Sequence, residues 1–438
     1  MPVVPAAVLS VAVVAVGPVL ADTPDEPPAL YEFAGYAAGD HLGASVTGLG
    51  DINGDSYDDV AIGSWLHDGA GEDAGRVDVI SGRDRSVIYT FYGEAPGDAF
   101  GFGLAGPGDV NGDNVPDIAI GAHLHDAAGE DAGRVYLVSG ADGRVIFIMD
   151  GQRAGDRFGR SIAPAGDLNH DDRMELIVGA HAADNNGKQD SGSASVLSYI
   201  DGGRVLWRFD GSHAQASFGR NVDGGHDVDN DGHPDLIVGE PQNREFFLKG
   251  GAAHVLSGAT GQLLYSVYGD EEGERFGRAV CLMPDVNDDG HAEFIVGAPE
   301  HSSPGSRAGR ATVYSGIDGS EMYTLEGEAA WDAFGKWIDH AGDYNGDGIE
   351  DFTVGARDSN ANGKGSGRAY VFSGIDGETL LTATGQAAGD QLGHTVAGVG
   401  DINGDEACDV IFGADLADIN GIDSGAAIRV PASQIRPR

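Results

Sequence analysis

A nine-residue pattern of oxygen-bearing side chains recurs seven times along the chain and constrains the fold more than any other feature. The first copy has Asp51, Asn53, Asp55 and Asp59 at its positions 1, 3, 5 and 9. The copies follow one another at intervals of 58, 58, 60, 58, 58 and 58 residues, and their first residues are Asp51, Asp109, Asp167, Asp227, Asp285, Asp343 and Asp401. A fixed period of this length indicates an array of equivalent units rather than several unrelated domains.

The spacing predicts that each of these segments, called Asp loops below, binds a divalent cation, and calcium in particular. Short carboxylate and amide side chains on alternate residues of a tight turn point inward, and the backbone carbonyl at position 7 completes an oxygen cage. The pattern is similar to the first half of an EF-hand loop, but an apolar strand begins where the EF-hand has its bidentate glutamate. A metal-free hairpin turn is disfavoured, because three acidic side chains held close together repel one another.

Up to seven calcium ions are therefore predicted, with a mainly structural role. The predicted ligands, in chain order and with position 7 acting through its carbonyl oxygen, are Asp51, Asn53, Asp55, Tyr57, Asp59; Asp109, Asn111, Asp113, Val115, Asp117; Asp167, Asn169, Asp171, Arg173, Glu175; Asp227, Asp229, Asp231, His233, Asp235; Asp285, Asn287, Asp289, His291, Glu293; Asp343, Asn345, Asp347, Ile349, Asp351; Asp401, Asn403, Asp405, Ala407 and Asp409. The fourth loop has four carboxylates and is predicted to bind best. Position 6 favours a residue that tolerates positive φ, which suits Gly348 and disfavours Glu406 in the seventh loop.

Short apolar runs between Gly- and Asp-rich turns predict an all-β chain with four strands, a to d, in each unit. The Asp loop joins a to b, a long Gly/Asp-rich loop joins b to c, and a tight turn joins c to d. The segment Leu30–Phe33 matches strand d of the first six units, whereas the seventh unit ends at Ala426–Val430 without one. The first strand is therefore predicted to complete the last unit and to close a ring, which removes an open sheet edge.

Two further motifs recur in phase with the Asp loops. A Phe-Gly pair begins at Phe100, Phe158, Phe218, Phe276 and Phe334, with Leu42 and Leu392 as its counterparts in the first and last units. A Gly-Ala-Pro element is complete at 297–299 and partial in the other units. Together these motifs resemble FG-GAP repeats, as found in the integrin α-subunit head, over roughly residues 28–430. The resemblance implies a seven-bladed β-propeller of four-stranded antiparallel blades, but not by itself cell adhesion. In integrin α heads only some blades carry calcium loops, whereas all seven have the pattern here.

The amino-terminal residues 1–21 are predicted to be a secretory signal peptide. They contain an apolar stretch of 11 residues, Ala6–Val16, followed by the small residues Val19 and Ala21 at the −3 and −1 positions. The usual positive charge before this stretch is missing, so a misassigned start codon stays open. Residues 22–27 are predicted to be a linker, 28–430 the propeller and 431–438 a short tail. The protein is expected to be secreted or extracytoplasmic, with the cell surface open, and no later segment is apolar enough to span a membrane.

Composition narrows the range of partners. The chain has 26 Lys and Arg against 70 Asp and Glu, a formal net charge of −44. A nucleic-acid partner is excluded, since there is no basic field to attract phosphate groups. Cys281 and Cys408 lie in different repeats and are predicted to be ordinary thiols.

In an antiparallel blade the a–b loops lie on one face, and the d–a and b–c loops form the other, called the d–a/b–c face below. This second face is the candidate ligand face, and its notable residues are Trp65, His67, His123, His125, His181, His301 and Trp331. These histidines share no common repeat position, which disfavours a metal cluster. The segment 242–249 departs most from the repeat. Its Phe246 and Phe247 are predicted either to anchor a partner or to pack locally.

Two other sets of residues each recur at one position of the repeat, and each allows two interpretations. The Phe-Gly aromatics can form a ligand-stacking set or a core between blades, and the core is favoured because they occur once per unit. The basic residues that follow Phe-Gly are Arg160, Arg220, Arg278 and Lys336. They can line a channel for an anion or pair with local acids, and pairing is favoured.

No catalytic set is recognised: the sequence has no Gly-x-Ser-x-Gly, His-Glu-x-x-His or phosphate-loop motif. Acid pairs are too abundant to indicate glycosidase chemistry. The favoured interpretation is a secreted calcium-binding propeller that presents one face to a protein or glycan partner. The alternatives are an extracellular polysaccharide lyase or hydrolase on the same scaffold, and an envelope or matrix scaffold. The oligomeric state stays open.

Overall fold

The computed structural model describes residues 31–199 and 203–432, which form 28 strands in seven four-stranded sheets. All strand pairs within the sheets are antiparallel, so the predicted seven-bladed all-β propeller is confirmed. The predicted signal peptide, the linker and residues 433–438 of the predicted tail lie outside the described residues. Within the described ranges, no helix has the length and apolarity needed to cross a membrane.

The strands follow the order a, b, c, d within each blade. The blades in chain order are β2 (Leu42–Gly50), β3 (Asp59–Ser64), β4 (Arg76–Ile80), β5 (Val87–Tyr92); β6 (Phe100–Gly108), β7 (Asp117–Ala122), β8 (Arg134–Val138), β9 (Val145–Asp150); β10 (Phe158–Gly166), β11 (Glu175–Ala180), β12 (Ser193–Ser198), β13 (Arg204–Asp210); β14 (Val222–His226), β15 (Asp235–Glu240), β16 (Ala252–Leu256), β17 (Leu263–Tyr268); β18 (Ala279–Leu282), β19 (Phe294–Ala298), β20 (Arg310–Tyr314), β21 (Glu321–Glu326); β22 (Trp337–Gly342), β23 (Asp351–Ala356), β24 (Arg368–Phe372), β25 (Thr379–Thr384); and β26 (Thr395–Gly400), β27 (Asp409–Ala414), β28 (Ala426–Val430) with β1 (Phe33–Ala34).

The ring closes where the sequence predicts, through the first strand. β1 is the outermost strand of the seventh blade, with Phe33 opposite Ala427 and Ala34 opposite Ala426. It is shorter than the predicted segment Leu30–Phe33, shares Phe33 with it and extends one residue beyond it. Two further contacts join the first and last blades. Leu42 forms a parallel bridge with Gly425, and Asp58 N–H donates to the carbonyl oxygen of Asp401 at 3.0 Å.

The hydrophobic core lies between adjacent blades rather than inside any one of them. Seven clusters of buried side chains occur, one at each of the seven blade interfaces. Phe100 is fully buried in the cluster that joins the first and second blades, beside Phe91 and Tyr136. The other Phe-Gly aromatics, and Leu42 and Leu392, are also buried. The predicted core role of this set is confirmed.

The glycines of the two motifs meet across each blade interface. A Cβ on Gly121, at the end of β7, would overlap the carbonyl oxygen of Gly159 in the next blade. Gly413 meets Gly43 in the same way where the ring closes. Only glycine lets the backbones approach this closely, so the two motifs recur together because they form one contact. Cys281 and Cys408 are free thiols, as predicted.

Candidate functional site

The seven Asp loops lie on one face of the ring, each between strands a and b of its blade. In every loop the position 1 carboxylate accepts hydrogen bonds from the backbone N–H groups at positions 5 and 6. In the first loop, Asp51 accepts from Asp55 at 3.1 Å and from Ser56 at 2.8 Å. One oxygen of Asp55 accepts from Tyr57 N–H at 3.1 Å. These bonds use part of each carboxylate and hold the loop in a tight turn.

The position 9 carboxylate is fully or almost fully buried in all seven loops. Asp117 accepts from the backbone N–H of Val110 at 2.9 Å and from that of Gly140 at 3.1 Å. Gly140 belongs to the c–d turn, so this carboxylate ties the Asp loop to the far half of its blade. The Asn111 side chain also donates to Asp117, at 3.1 Å. Burial raises the pKa of Asp117 to about 6, and the same cause acts on its counterparts in the other six loops.

The fourth loop best fits a divalent cation, because its carboxylate oxygens lie close together and one of them has no hydrogen-bond donor. Asp227, Asp229 and Asp235 place ligand oxygens within 4.8 Å of one another. The buried Oδ1 of Asp229 has no hydrogen-bond partner, and neither has that of Asp171 in the third loop. Buried anionic oxygens without a partner carry a large desolvation cost that a cation would offset. The donor set is all oxygen, as calcium requires.

Position 6 has positive φ in all seven loops, as the sequence predicts. Glu406 adopts φ of 68°, so the seventh loop has the same turn as the others although its side chain is unfavourable there. Position 4 is also left-handed throughout, a requirement that the sequence analysis missed. Glycine is frequent at position 4 of the loops, as at Gly54 with φ of 78°, and this frequency indicates the left-handed conformation.

Neighbouring Asp loops contact one another through the side chains at position 7, which the sequence analysis assigned only a carbonyl role. Arg173 donates to the carbonyl oxygen of Val110 at 2.8 Å, in the preceding blade. His291 Nδ1 lies 2.7 Å from the carbonyl oxygen of Val228, and the rings of His233 and His170 are 4.3 Å apart. These contacts cross blade interfaces, so no local sequence pattern reveals them.

The histidines and tryptophans predicted on the d–a/b–c face are not gathered into one site. Trp65 and His123 both pack against Phe102, with ring centroids at 5.4 and 4.8 Å. His301 lies close to Asp270 and Glu274, whereas His125 pairs with Glu94 at 3.3 Å. His67 packs on Tyr92, and Trp331 is exposed beside Arg307. Asp270, Glu274 and His301 place ligand atoms within 4.8 Å of one another, and among the described residues no second histidine of this set joins that group.

The irregular segment 242–249 presents apolar side chains to solvent. Phe246, Phe247 and Leu248 are 64%, 43% and 53% exposed. Phe246 packs edge-on against Tyr268, with ring centroids 4.7 Å apart, and this contact leaves most of its surface uncovered. Phe246 thus shows the local packing that the sequence predicts as one alternative, while more than two-fifths of each side chain stays exposed to a partner.

The prediction that the basic residues after Phe-Gly pair with local acids is wrong for three of the four. Lys336 does pair, with Asp358 at 3.5 Å. Within the described parts of the chain, Arg160, Arg220 and Arg278 form no ion pair with a carboxylate. They line the central cavity, and the charged groups that lower the pKa of each are other arginines, a relation between blades that the sequence does not show.

Comparison with known proteins agrees with this architecture. The family model described as FG-GAP repeat matches residues 100–138, 158–197, 218–256, 276–314 and 337–372. These five segments cover strands a to c of the second to sixth blades, except Ser198 at the end of β12. The unmatched first and seventh blades are those in which leucine replaces the phenylalanine of Phe-Gly.

Curated relatives are integrin alpha subunits. The chain is 34% identical over 216 residues to integrin alpha-5 of Xenopus laevis, which is 42% of this chain and 20% of that protein. It is 35% identical over 214 residues to integrin alpha-V of Gallus gallus, which is 45% of this chain and 20% of that protein. It is 32% identical over 214 residues to integrin alpha-8 of Homo sapiens, which is 45% of this chain and 19% of that protein. The matches span about a fifth of these relatives. The chain contains five segments that match the FG-GAP repeat, and its seven-bladed propeller is similar in sequence to integrin alpha subunits.

Proposed function

We propose that this propeller is an extracellular interaction module that binds a protein partner on its d–a/b–c face and is stabilised by calcium in its Asp loops. The similarity to integrin alpha subunits supports an interaction role. The two roles fall on opposite faces of the ring, because each blade directs its a–b loop one way and its b–c loop the other. A partner can therefore bind without displacing the ions.

The observation that carries the interaction role is the exposed segment Phe246–Leu248. Three adjacent large apolar side chains, each more than two-fifths exposed, lie in the loop that departs most from the repeat. Basic side chains flank the segment: Arg244 and Lys249 line an adjoining pocket together with Arg275. An apolar centre with charged residues at its rim is the usual composition of a protein-binding surface.

The test of the interaction role compares wild type with Phe246→Ser and Leu248→Ser in binding to a panel of purified extracellular proteins and to a glycan array. Saturable binding to a protein, weakened at least about tenfold by either substitution, is expected if these side chains are central anchors. The matched control is Ile317→Ser, an equally apolar, 51% exposed residue in a c–d turn on the other face. Binding to glycans alone, or equal loss in the control, would contradict the proposal.

The calcium proposal rests on the unpartnered carboxylate oxygens of the third and fourth loops. An ion that binds only the folded chain stabilises it by mass action, by about 2.7 kcal/mol for each site at a hundredfold excess over Kd. Chelation with EGTA is therefore expected to lower Tm substantially, and titration of the chelated protein is expected to show up to seven ions. An unfolding curve that is the same in EGTA and in calcium would refute a structural role for the ion.

A further inference from the structure

Three arginines from adjacent blades converge on the centre of the propeller. Arg160, Arg220 and Arg278 are the residues after Phe-Gly in the third, fourth and fifth blades. All three line a central cavity of about 470 Å³, whose lining also includes Asp223 and Asp339. Arg220 and Arg278 also line an adjoining pocket of about 680 Å³ on the d–a/b–c face. Arg220 and Arg278 are therefore reached from that face although they lie deep in the ring.

The contacts of these arginines are with rings rather than with carboxylates. Arg160 lies over Phe102 at 4.1 Å from the ring centroid, and Arg278 lies over Trp337 at 5.2 Å. A guanidinium N–H of Arg220 is 3.1 Å from Nε2 of His181. Each of these contacts orients the guanidinium, but none supplies negative charge.

Missing counter-ions are unexpected in a chain with 70 acidic residues. Elsewhere in the ring, partly buried arginines are paired: Arg134 with Glu94 at 3.0 Å, and Arg310 with Asp270 at 3.0 Å. At the equivalent position of the seventh blade, His394 pairs with Asp415 at 2.6 Å. Asp223, which lines the same cavity, lies 3.5 Å from His340. Among the described residues, the arc formed by Arg160, Arg220 and Arg278 therefore concentrates positive charge without a carboxylate paired to it.

The electrostatic cost of this arrangement is visible in the lowered pKa of each arginine. Burial, with Arg278 and Arg157 nearby, lowers the pKa of Arg160 to about 9. Burial and positive neighbours also place the pKa of Arg220 and of Arg278 well below the usual value. A negatively charged group among them would relieve both the desolvation and the mutual repulsion.

We propose that Arg160, Arg220 and Arg278 form an oxyanion-binding site at the centre of the propeller, open to the d–a/b–c face. Planar guanidinium groups bind carboxylate, sulfate and phosphate oxygens through paired N–H donors. Further donors are available: Nε1 of Trp337, and Nδ1 of His181 beside Arg220, are buried without a partner. The ligand is a single oxyanion, either a free ion or one acidic group carried on a narrow chain, since a broad polyanion would meet the net charge of −44 around the rim.

Sulfate is the probe of choice, because phosphate precipitates the calcium that the Asp loops are proposed to hold. Calorimetric titration of the full chain with sodium sulfate is expected to show one site, against a sodium chloride blank of equal ionic strength. Arg220→Gln is expected to weaken sulfate binding by about tenfold or more. The control is Arg144→Gln, which removes the same charge from a side chain that is 86% exposed in a c–d turn on the other face.

Thermal unfolding distinguishes an oxyanion-binding role of the arginines from a purely structural role. In dilute chloride, Arg220→Gln is expected to match or exceed the Tm of wild type, because it removes repulsion. In sulfate, the Tm of wild type is expected to be higher than that of the variant, because only wild type gains stability by binding the ion. The proposal would be overturned if the Tm of the variant were below that of wild type by the same amount in both salts. It would also be overturned if the variant bound sulfate with the affinity of wild type.

A second arm distinguishes the source of the oxyanion. A short aspartate-containing peptide and its asparagine counterpart are titrated in parallel, with and without sulfate. Peptide binding that requires aspartate and Arg220, and that sulfate displaces, identifies an acidic side chain of a partner. Sulfate binding alone identifies a free ion. Neither result depends on Phe246 or Leu248, so failure of the proposed interaction surface is distinguishable from failure of this site.

Discussion

At the scale of single residues, the Asp loops depend on two left-handed positions in every turn. Position 4 and position 6 have positive φ in all seven loops. Six loops place glycine at one or both of these positions, whereas the third has His170 at φ of 59° and Asp172 at φ of 64°. Because an ordinary side chain adopts this conformation only at a cost of about 1–2 kcal/mol, the third loop carries the most backbone strain.

Replacing Asp172 with glycine is expected to stabilise the protein. The relieved strain exceeds the entropy cost of the new glycine, which leaves a gain of about 0.5–1 kcal/mol in the free energy of unfolding. The measurement is urea unfolding at saturating calcium. Asp172→Asn is the control, because it removes the same exposed charge and keeps the Cβ. Equal gains in both variants would attribute the effect to charge and refute the strain argument.

The converse substitution is available in the sixth loop. Gly348 has φ of 87°, and a Cβ added there would meet nothing within 4 Å. Gly348→Ala is therefore expected to cost about 1 kcal/mol through backbone strain alone. An unchanged free energy of unfolding for Gly348→Ala in the same urea experiment would show that position 6 is not constrained.

At the scale of the blade, the position 9 carboxylate joins two elements that the chain places more than twenty residues apart. Asp117 accepts backbone N–H groups from both its own Asp loop and the c–d turn. It therefore fastens the blade whether or not a cation is bound. Asp113, at position 5, is exposed and accepts only locally, from Val115 N–H at 2.9 Å.

These different surroundings predict different responses to calcium. Asp117→Asn is expected to lose about 2–3 kcal/mol of stability in calcium and in EGTA alike, because the amide leaves one buried N–H without an acceptor. Asp113→Asn keeps its local hydrogen bond and is expected to lose stability only in calcium. Denaturant unfolding of both variants in both buffers tests this. Equal calcium dependence would show that position 9 acts solely through the ion.

The sequence predicts the blades well because their signals are local and repeated. The spacing of Asp51 and its six counterparts fixes the number of blades, and the match between Leu30–Phe33 and strand d locates the ring closure. Relations between blades were not predictable in this way. The lack of an ion pair between Arg220 and a carboxylate of the described residues, and the contact of Arg173 with Val110, depend on which residues of neighbouring repeats face each other. A single repeat does not contain that information.

At the scale of the whole molecule, the ring is held by contacts between its first and last blades. The short strand β1 adds only two residues to the last sheet. Glu32, just before it, pairs with Arg85 of the first blade at 2.7 Å and with Arg429 of the seventh at 3.2 Å. This segment thus covers the edge of β28 and also bridges the two blades that close the ring.

Removal of residues 1–34 is expected to lower Tm and to cause self-association. The truncation exposes the hydrogen-bonding edge of β28, which can then pair with another chain, and it removes Phe33 from the core between the first and last blades. The backbone contacts at Leu42 and Asp58 remain, so the chain is expected to fold with a weakened seam. Thermal unfolding and size-exclusion chromatography with light scattering measure both effects. A chain lacking only residues 1–27 is the control, since it retains the closing segment. If both truncated chains are monomeric and unfold at the same temperature, the first strand is not what seals the ring.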